Sequence, residues 1–183
     1  MKLLLGSGGL RTPERKNMYL QLMNENFKGC RRILFIPYAS KDYDEYTNKV
    51  REMFKQSEYE IIGIHESDNP IQEIREMEGI YVGGGNTFTL VRKLHEEGLI
   101  ESIRERVTED NIPYAGVSAG SNVACPTMQT TNDMPIDLVP SLRESIQNPD
   151  YLIEDSANKG WVRGGIPSRE ITRDNDYFNR KYK

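Results

Sequence analysis

Residues Tyr114-Ala115-Gly116-Val117 carry no charge and run directly into Ser118-Ala119-Gly120-Ser121-Asn122. That junction restricts the fold more than any other stretch. An apolar run that ends in G-x-S-x-G is the pattern of a buried strand turning sharply into a helix, with the serine hydroxyl lifted clear of the sheet. Gly116 and Gly120 are needed because the turn brings two backbones close and uses torsion angles that a Cβ resists. About one βα unit earlier, Gly83-Gly84-Gly85-Asn86-Thr87 supplies a second glycine loop. Ser118 is therefore a candidate nucleophile. The amide of Ala119 is one candidate oxyanion donor, and Gly85 the other. The alternative for Gly83–Gly85 is an ordinary tight βα turn or a phosphate cradle.

The rest of the chain agrees with a strand–helix alternation. Leu3-Leu4-Leu5 reads as a short buried strand. A helix follows from near Pro13 to Phe27, with Thr12 as cap and Met18, Leu22 and Phe27 inward. Ile33-Leu34-Phe35-Ile36 is a continuous apolar run, as a strand covered on both faces requires. A helix over about 42–56 places Tyr46, Val50 and Phe54 on one face. Residues 60–65 give a third strand ending at His65, and 70–77 a short helix opened by Asn69 and Pro70. Residues 79–82 give a fourth strand, and 87–97 a helix closed by Gly98. Leu99, Ile100, Ile103 and Val107 mark another buried face before a strand at 112–117. Such alternation builds βαβ units, hence an α/β three-layer sandwich around a mostly parallel sheet. Loops at the carboxyl ends of its strands then share one edge.

Composition narrows the function classes. The 183 residues suit a single domain, 1–183, in which 137–183 form a polar, divergent tail. The net charge of -4 argues against a nucleic-acid partner. Cys30 and Cys125 make neither a disulfide framework nor a metal site, so no metal and no cofactor are expected. Met1–Leu5 is too short for a signal-peptide core and no apolar run is long enough to span a membrane. A soluble, cytoplasmic protein is the expectation. Gly6-Ser7-Gly8-Gly9 invites a dinucleotide reading but misses the G-x-G-x-x-G spacing, because Arg11 stands where the third glycine belongs. Asp133, in Thr130-Thr131-Asn132-Asp133-Met134-Pro135, could orient a base or cap main-chain amides.

The succession Ile36-Pro37-Tyr38-Ala39, Asp44-Glu45-Tyr46-Thr47, Gly63-Ile64-His65, Val82 to Phe88, Gly116 to Asn122, Ala124 to Thr127 and Thr130 to Ile136 resembles the peptidase E family. These are cytoplasmic serine peptidases that cleave dipeptides with an N-terminal aspartate. The resemblance covers residues 1–136. It implies a flavodoxin-like sandwich related to class I glutamine amidotransferases, shortened at its C-terminus. It also implies Ser118 as nucleophile, Gly85 and Ala119 as oxyanion donors, and Asp133 as a position needed for activity. Gly84 and Asn86, on the same loop as Gly85, are candidate substrate contacts. The expected partner is an Asp-X dipeptide, with a homodimer left open.

Beyond residue 136 the sequence departs from that family. Its Asn-Pro-His segment, whose histidine is the general base, finds its best counterpart in Asn148-Pro149-Asp150, with Asp150 in the histidine's place. The Gly-Leu-Pro-Glu-Gly stretch that orients the histidine has no counterpart. Ser168-Arg169-Glu170 resembles the family's Thr-Arg-Glu element. Arg169 could pair bidentately with a substrate carboxylate or be a surface arginine. Of the two histidines, His65 is expected at the strand edge and His95 on a solvated helix surface. A serine without a base is a poor nucleophile. Two readings follow: a serine dipeptidase, or a homologue that keeps the pocket and binds without efficient turnover.

Overall fold

The computed structural model describes residues 1–7 and 12–125. Asp133, Asp150, Arg169 and the polar tail at 137–183 lie outside the described residues. Five strands, β1 (Leu3–Gly6), β2 (Arg32–Ile36), β3 (Glu60–Gly63), β4 (Gly79–Val82) and β5 (Tyr114–Val117), pair in the order β1-β5-β4-β2-β3. All four pairings are parallel. The helices are α1 (Pro13–Asn26), α2 (Tyr43–Phe54), α3 (Pro70–Glu76), α4 (Thr87–Glu96), α5 (Ile100–Thr108) and α6 (Ala119–Asn122).

Local chemistry explains most boundaries. The Thr12 side chain accepts from Arg15 N, Asp42 from Glu45 N, Asn69 from Gln72 N and Asn86 from Thr89 N. Each satisfies a donor that the first helical turn leaves open. Pro13 and Pro70 sit at the first helical positions, where a missing N–H costs nothing.

Two apolar layers sandwich the sheet. On one face, Met23 of α1, Phe27 at its C-terminal cap, and Val50 and Phe54 of α2 pack on Ile33, Phe35, Ile61, Tyr81 and Ala115. On the other, Ile74, Leu90, Leu94, Leu99, Ile100, Ile103 and Val107 pack on Leu34, Ile36, Ile80, Val82 and Tyr114. With α2 below and α4 above, the loops leaving β2 and β4 part to opposite faces between neighbouring strands. In doubly wound sheets that divergence opens the crevice where ligands bind.

Several expectations are corrected. β1 is not a buried strand: it borders the described sheet, and Leu3 and Leu5 are 39% and 45% exposed. Met18 and Leu22 point to solvent, while Tyr19, Leu20 and Met23 form the inward stripe of α1, continued by Phe27 at its cap. β3 stops at Gly63, because Ile64–Glu66 closes into a single 3₁₀ turn that carries His65 off the strand. β5 begins at Tyr114 rather than residue 112. His95 is half-buried, not a fully solvated residue.

Candidate functional site

At the carboxyl end of β5 the chain reverses through Ser118, which has φ 52° and ψ -111° and precedes α6. A side chain disfavours that conformation, and holding it costs on the order of 1–3 kcal/mol unless the surroundings over-determine it. They do. Ser118 N donates to Gly6 O (2.7 Å), and Ser118 O accepts from Ser121 N (2.9 Å) and Asn122 N (3.0 Å). The Ser121 hydroxyl lies 2.7 Å from Gly6 O and 2.8 Å from Gly116 O, so it bridges β1 and β5 beneath the turn. Tyr114 Oη donates to Gly120 O at 2.6 Å. In the sequence Ser121 shows only as part of the motif. Its role under the turn depends on β1 lying beside β5, which strand order alone reveals.

Glycine is required here by contact. A Cβ on Gly116 would come within 3.0 Å of Gly120 O, and one on Gly120 within 3.0 Å of Val82 O. α6 therefore rests directly on the backbones of β4 and β5. With its backbone pinned, Ser118 itself stays exposed.

The loop after β4 faces this turn. An added Cβ on Gly84 would lie 3.1 Å from the Ser118 Cβ and 3.1 Å from Val117 O. Gly85 has φ 143°, open only to glycine, and its Cα packs on Ala39 of the loop after β2. Three of the loop's amides are engaged: Gly83 N with Ile36 O, Gly84 N with the Tyr46 hydroxyl, and Asn86 N with Ala39 O. Among the described residues, the amides of Gly85 and Ala119 meet no acceptor. Gly85 is exposed, whereas Ala119 is buried behind the turn, so the two are unequally open. Asn122 Nδ2 donates to Thr87 Oγ1 at 3.0 Å and joins the start of α4 to α6. Asn86 caps α4. The structure thus brings Ser118, Ala119, Gly84, Gly85 and Asn86 together on one edge of the sheet.

The histidines stand elsewhere. His65 follows β3, three strands from β5 in the sheet order, which at ~4.8 Å per strand is ~14 Å along the rim. Its Nε2 lies 3.0 Å from Asp44 Oδ1, its ring meets Tyr43 edge-on, and its buried Nδ1 has no partner among the described residues. His95 is eight residues beyond the start of α4, ~12 Å by helical rise from the rim. Among the described residues no group of three or more His, Cys, Asp or Glu side chains could hold a metal. No described helix is long and apolar enough to cross a membrane.

Comparison with known proteins gives this arrangement its relatives. Peptidase family S51 matches residues 2–154. The chain belongs to peptidase family S51. It is 43% identical over 139 residues to peptidase E of Nostoc sp., covering 74% of this chain and 57% of that protein. It is 42% identical over 138 residues to a protein named as an alpha-aspartyl dipeptidase in Drosophila melanogaster, covering 72% and 58%. The S51 chain thus spans little more than half the length of these relatives. A crystal structure assigned to peptidase E of Listeria monocytogenes EGD-e matches with a TM-score of 0.58 and 26% identity. That match covers 76% of this chain and 71% of the other.

Proposed function

We propose that this S51 chain carries the nucleophilic half of a serine dipeptidase site and that its substrates are dipeptides with an N-terminal aspartate. The strained, exposed Ser118 beside Gly84 and Gly85 carries the reading. In the proposed reaction the Ser118 oxygen attacks the peptide carbonyl carbon and gives its proton to a base. The C–N bond then breaks, the amine leaves with a proton, and water hydrolyses the acyl-serine. The negative carbonyl oxygen of the intermediate faces the amides of Gly85 and Ala119, a service whose removal typically costs 10²–10³ in rate. Gly84 and Asn86 would flank the substrate. Asp133, Asp150 and Arg169 complete the proposed site, with Arg169 pairing with the aspartyl carboxylate. The name of the Drosophila relative supports the substrate class, and that of the Nostoc relative supports a peptidase. The proposed setting is the cytoplasm.

The placement of both histidines favours a second reading, in which the pocket binds such peptides but turns over slowly. An ordinary carboxylate, Asp150, would stand where a stronger base belongs, and loss of such a base costs on the order of 10⁴–10⁶ in rate. One experiment separates the two: hydrolysis of Asp-Leu by the chain and by Ser118→Ala, with peptide binding measured in parallel. Hydrolysis lost in the variant supports the dipeptidase. Binding without hydrolysis supports the second reading, and hydrolysis retained by Ser118→Ala overturns Ser118 as nucleophile.

A further inference from the structure

Three successive glycines leave a loop with almost no torsional preference of its own, since glycine populates both signs of φ readily. An oxyanion donor must nevertheless be aimed before the substrate arrives, because preorganised dipoles are what lower the barrier. The loop after β4 obtains its aim from outside. The peptide plane joining Gly83 to Gly84 is fixed because Gly84 N donates to Tyr46 Oη at 2.9 Å. The plane joining Gly85 to Asn86 is fixed because Asn86 N donates to Ala39 O at 3.0 Å. The intervening plane, which carries the Gly85 N–H, is held between these two anchors.

Of the two anchors, only Tyr46 is a side chain. Its position is built from both ends. The ring stands edge-on to Phe35 of β2, with centroids 5.1 Å apart and planes at 89°. A Cβ on Gly83 would lie 2.7 Å from the Tyr46 ring, so Gly83 must be glycine for the ring to reach under the loop. Burial raises the phenol's pKa, which keeps the hydroxyl protonated and neutral. Sequence periodicity placed Tyr46 on the inward stripe of α2 with Val50 and Phe54, and the hydroxyl was the part that periodicity could not see.

We propose that Tyr46 is a positioning residue of this site: its hydroxyl, by accepting the Gly84 amide, sets the orientation of the Gly83–Gly85 loop and so aims the Gly85 N–H at the Ser118 side of the crevice. This rests on the reading of Gly85 as an oxyanion donor. Tyr46 touches no reacting atom in this account and acts only through the loop.

Tyr46→Phe tests it, because the ring and its packing remain while the acceptor goes. Tyr19→Phe is the comparator: its hydroxyl lies 2.8 Å from Tyr81 Oη on the same face of the sheet, but it holds no loop amide. Two readouts are taken on the whole chain, amide exchange at Gly84 and Gly85 and the rate at which a fluorophosphonate labels Ser118. In Tyr46→Phe, Gly84 should exchange about tenfold faster and maximal labelling should fall about tenfold, with the reagent's half-saturating concentration unchanged. Tyr19→Phe should change neither. Unchanged exchange at Gly84 and Gly85 in Tyr46→Phe overturns the proposal, as do equal changes in both variants. A wild-type chain left unlabelled at Ser118 removes the nucleophile reading instead, and the exchange measurement still decides whether Tyr46 governs the loop.

Discussion

The glycines around Ser118 and those that end the helices differ in why they must be glycine. Gly29 and Gly98 follow α1 and α4 with φ of 88° and 66°, and a Cβ on either would meet nothing within 4 Å. They are helix-ending residues chosen for a left-handed torsion alone. Gly116 and Gly120 have no such torsion, yet an added Cβ would strike backbone atoms. Gly85 carries both constraints. Torsion-selected glycines cost a replacement only local strain, whereas contact-selected ones hold two backbones together. Gly116 and Gly120 belong to the second class, so the seat of α6 on β4 and β5 is set by main-chain packing.

The largest effect should therefore come from Gly120→Ala. Its Cβ would meet Val82 O, Val82 C and Val82 Cβ, so either α6 lifts off β4 or β4 shifts within the core. A loss on the order of 3 kcal/mol or more is expected in urea unfolding, well above the usual effect of a point change. Gly98→Ala should cost only about 1–2 kcal/mol, the penalty for a side chain in the left-handed region. Equal losses from the two would abolish the distinction.

Much of this was legible before any coordinates. The strand at 79–82 and the caps at Thr12 and Asn69 follow from residue chemistry acting within four or five positions. The failures share one cause, dependence on which strand lies next to which. Leu3 and Leu5 look like core residues, and only the place of β1 at the border of the described sheet exposes them. Met18 and Leu22 fit an apolar stripe on α1 as well as Tyr19, Met23 and Phe27 do, and the sheet beneath decides between them. His65 and Ser118 both follow strands, so they share an edge, but sequence order hides that three strand positions separate them.

A second test acts at the turn itself. Ser118 is a non-glycine residue at positive φ, so Ser118→Gly should relieve strain and raise stability by about 1 kcal/mol while abolishing labelling at that position. Ser118→Ala should abolish labelling too, with stability within about 0.5 kcal/mol of wild type, because alanine inherits the same torsional cost. If Ser118→Gly is no more stable than Ser118→Ala, the turn is not strained in the sense argued. His65→Ala should leave the labelling rate within about twofold, since a group ~14 Å along the rim cannot take the serine proton. A tenfold loss would place His65 in the machinery.

The smallest effect is expected at the far corner of the same rim, where side chains rather than backbones make the connection. Glu66 accepts from Arg51 Nη1 at 2.8 Å and Nη2 at 2.5 Å, and from Gly63 N at 3.1 Å. The hydrogen bonds from Arg51 are the main reason its pKa lies below the ordinary carboxylate value, with the Gly63 amide assisting against some desolvation. A carboxylate whose pKa is lower in the folded chain than in the unfolded one stabilises the fold above the unfolded value, near 4.5, and that stability is lost as pH falls through the folded value. Both side chains are 37% exposed, so solvent screening limits the contribution to about 0.5 kcal/mol. Glu66→Gln should flatten the acid limb of the stability curve below roughly pH 5 by that amount and leave stability near pH 7 reduced to the same extent. Gly120→Ala should instead lower stability at every pH alike, because its damage is steric. A pH-dependent loss in Gly120→Ala, or a pH-independent one in Glu66→Gln, would reverse the assignment of which corner is held by packing and which by charge.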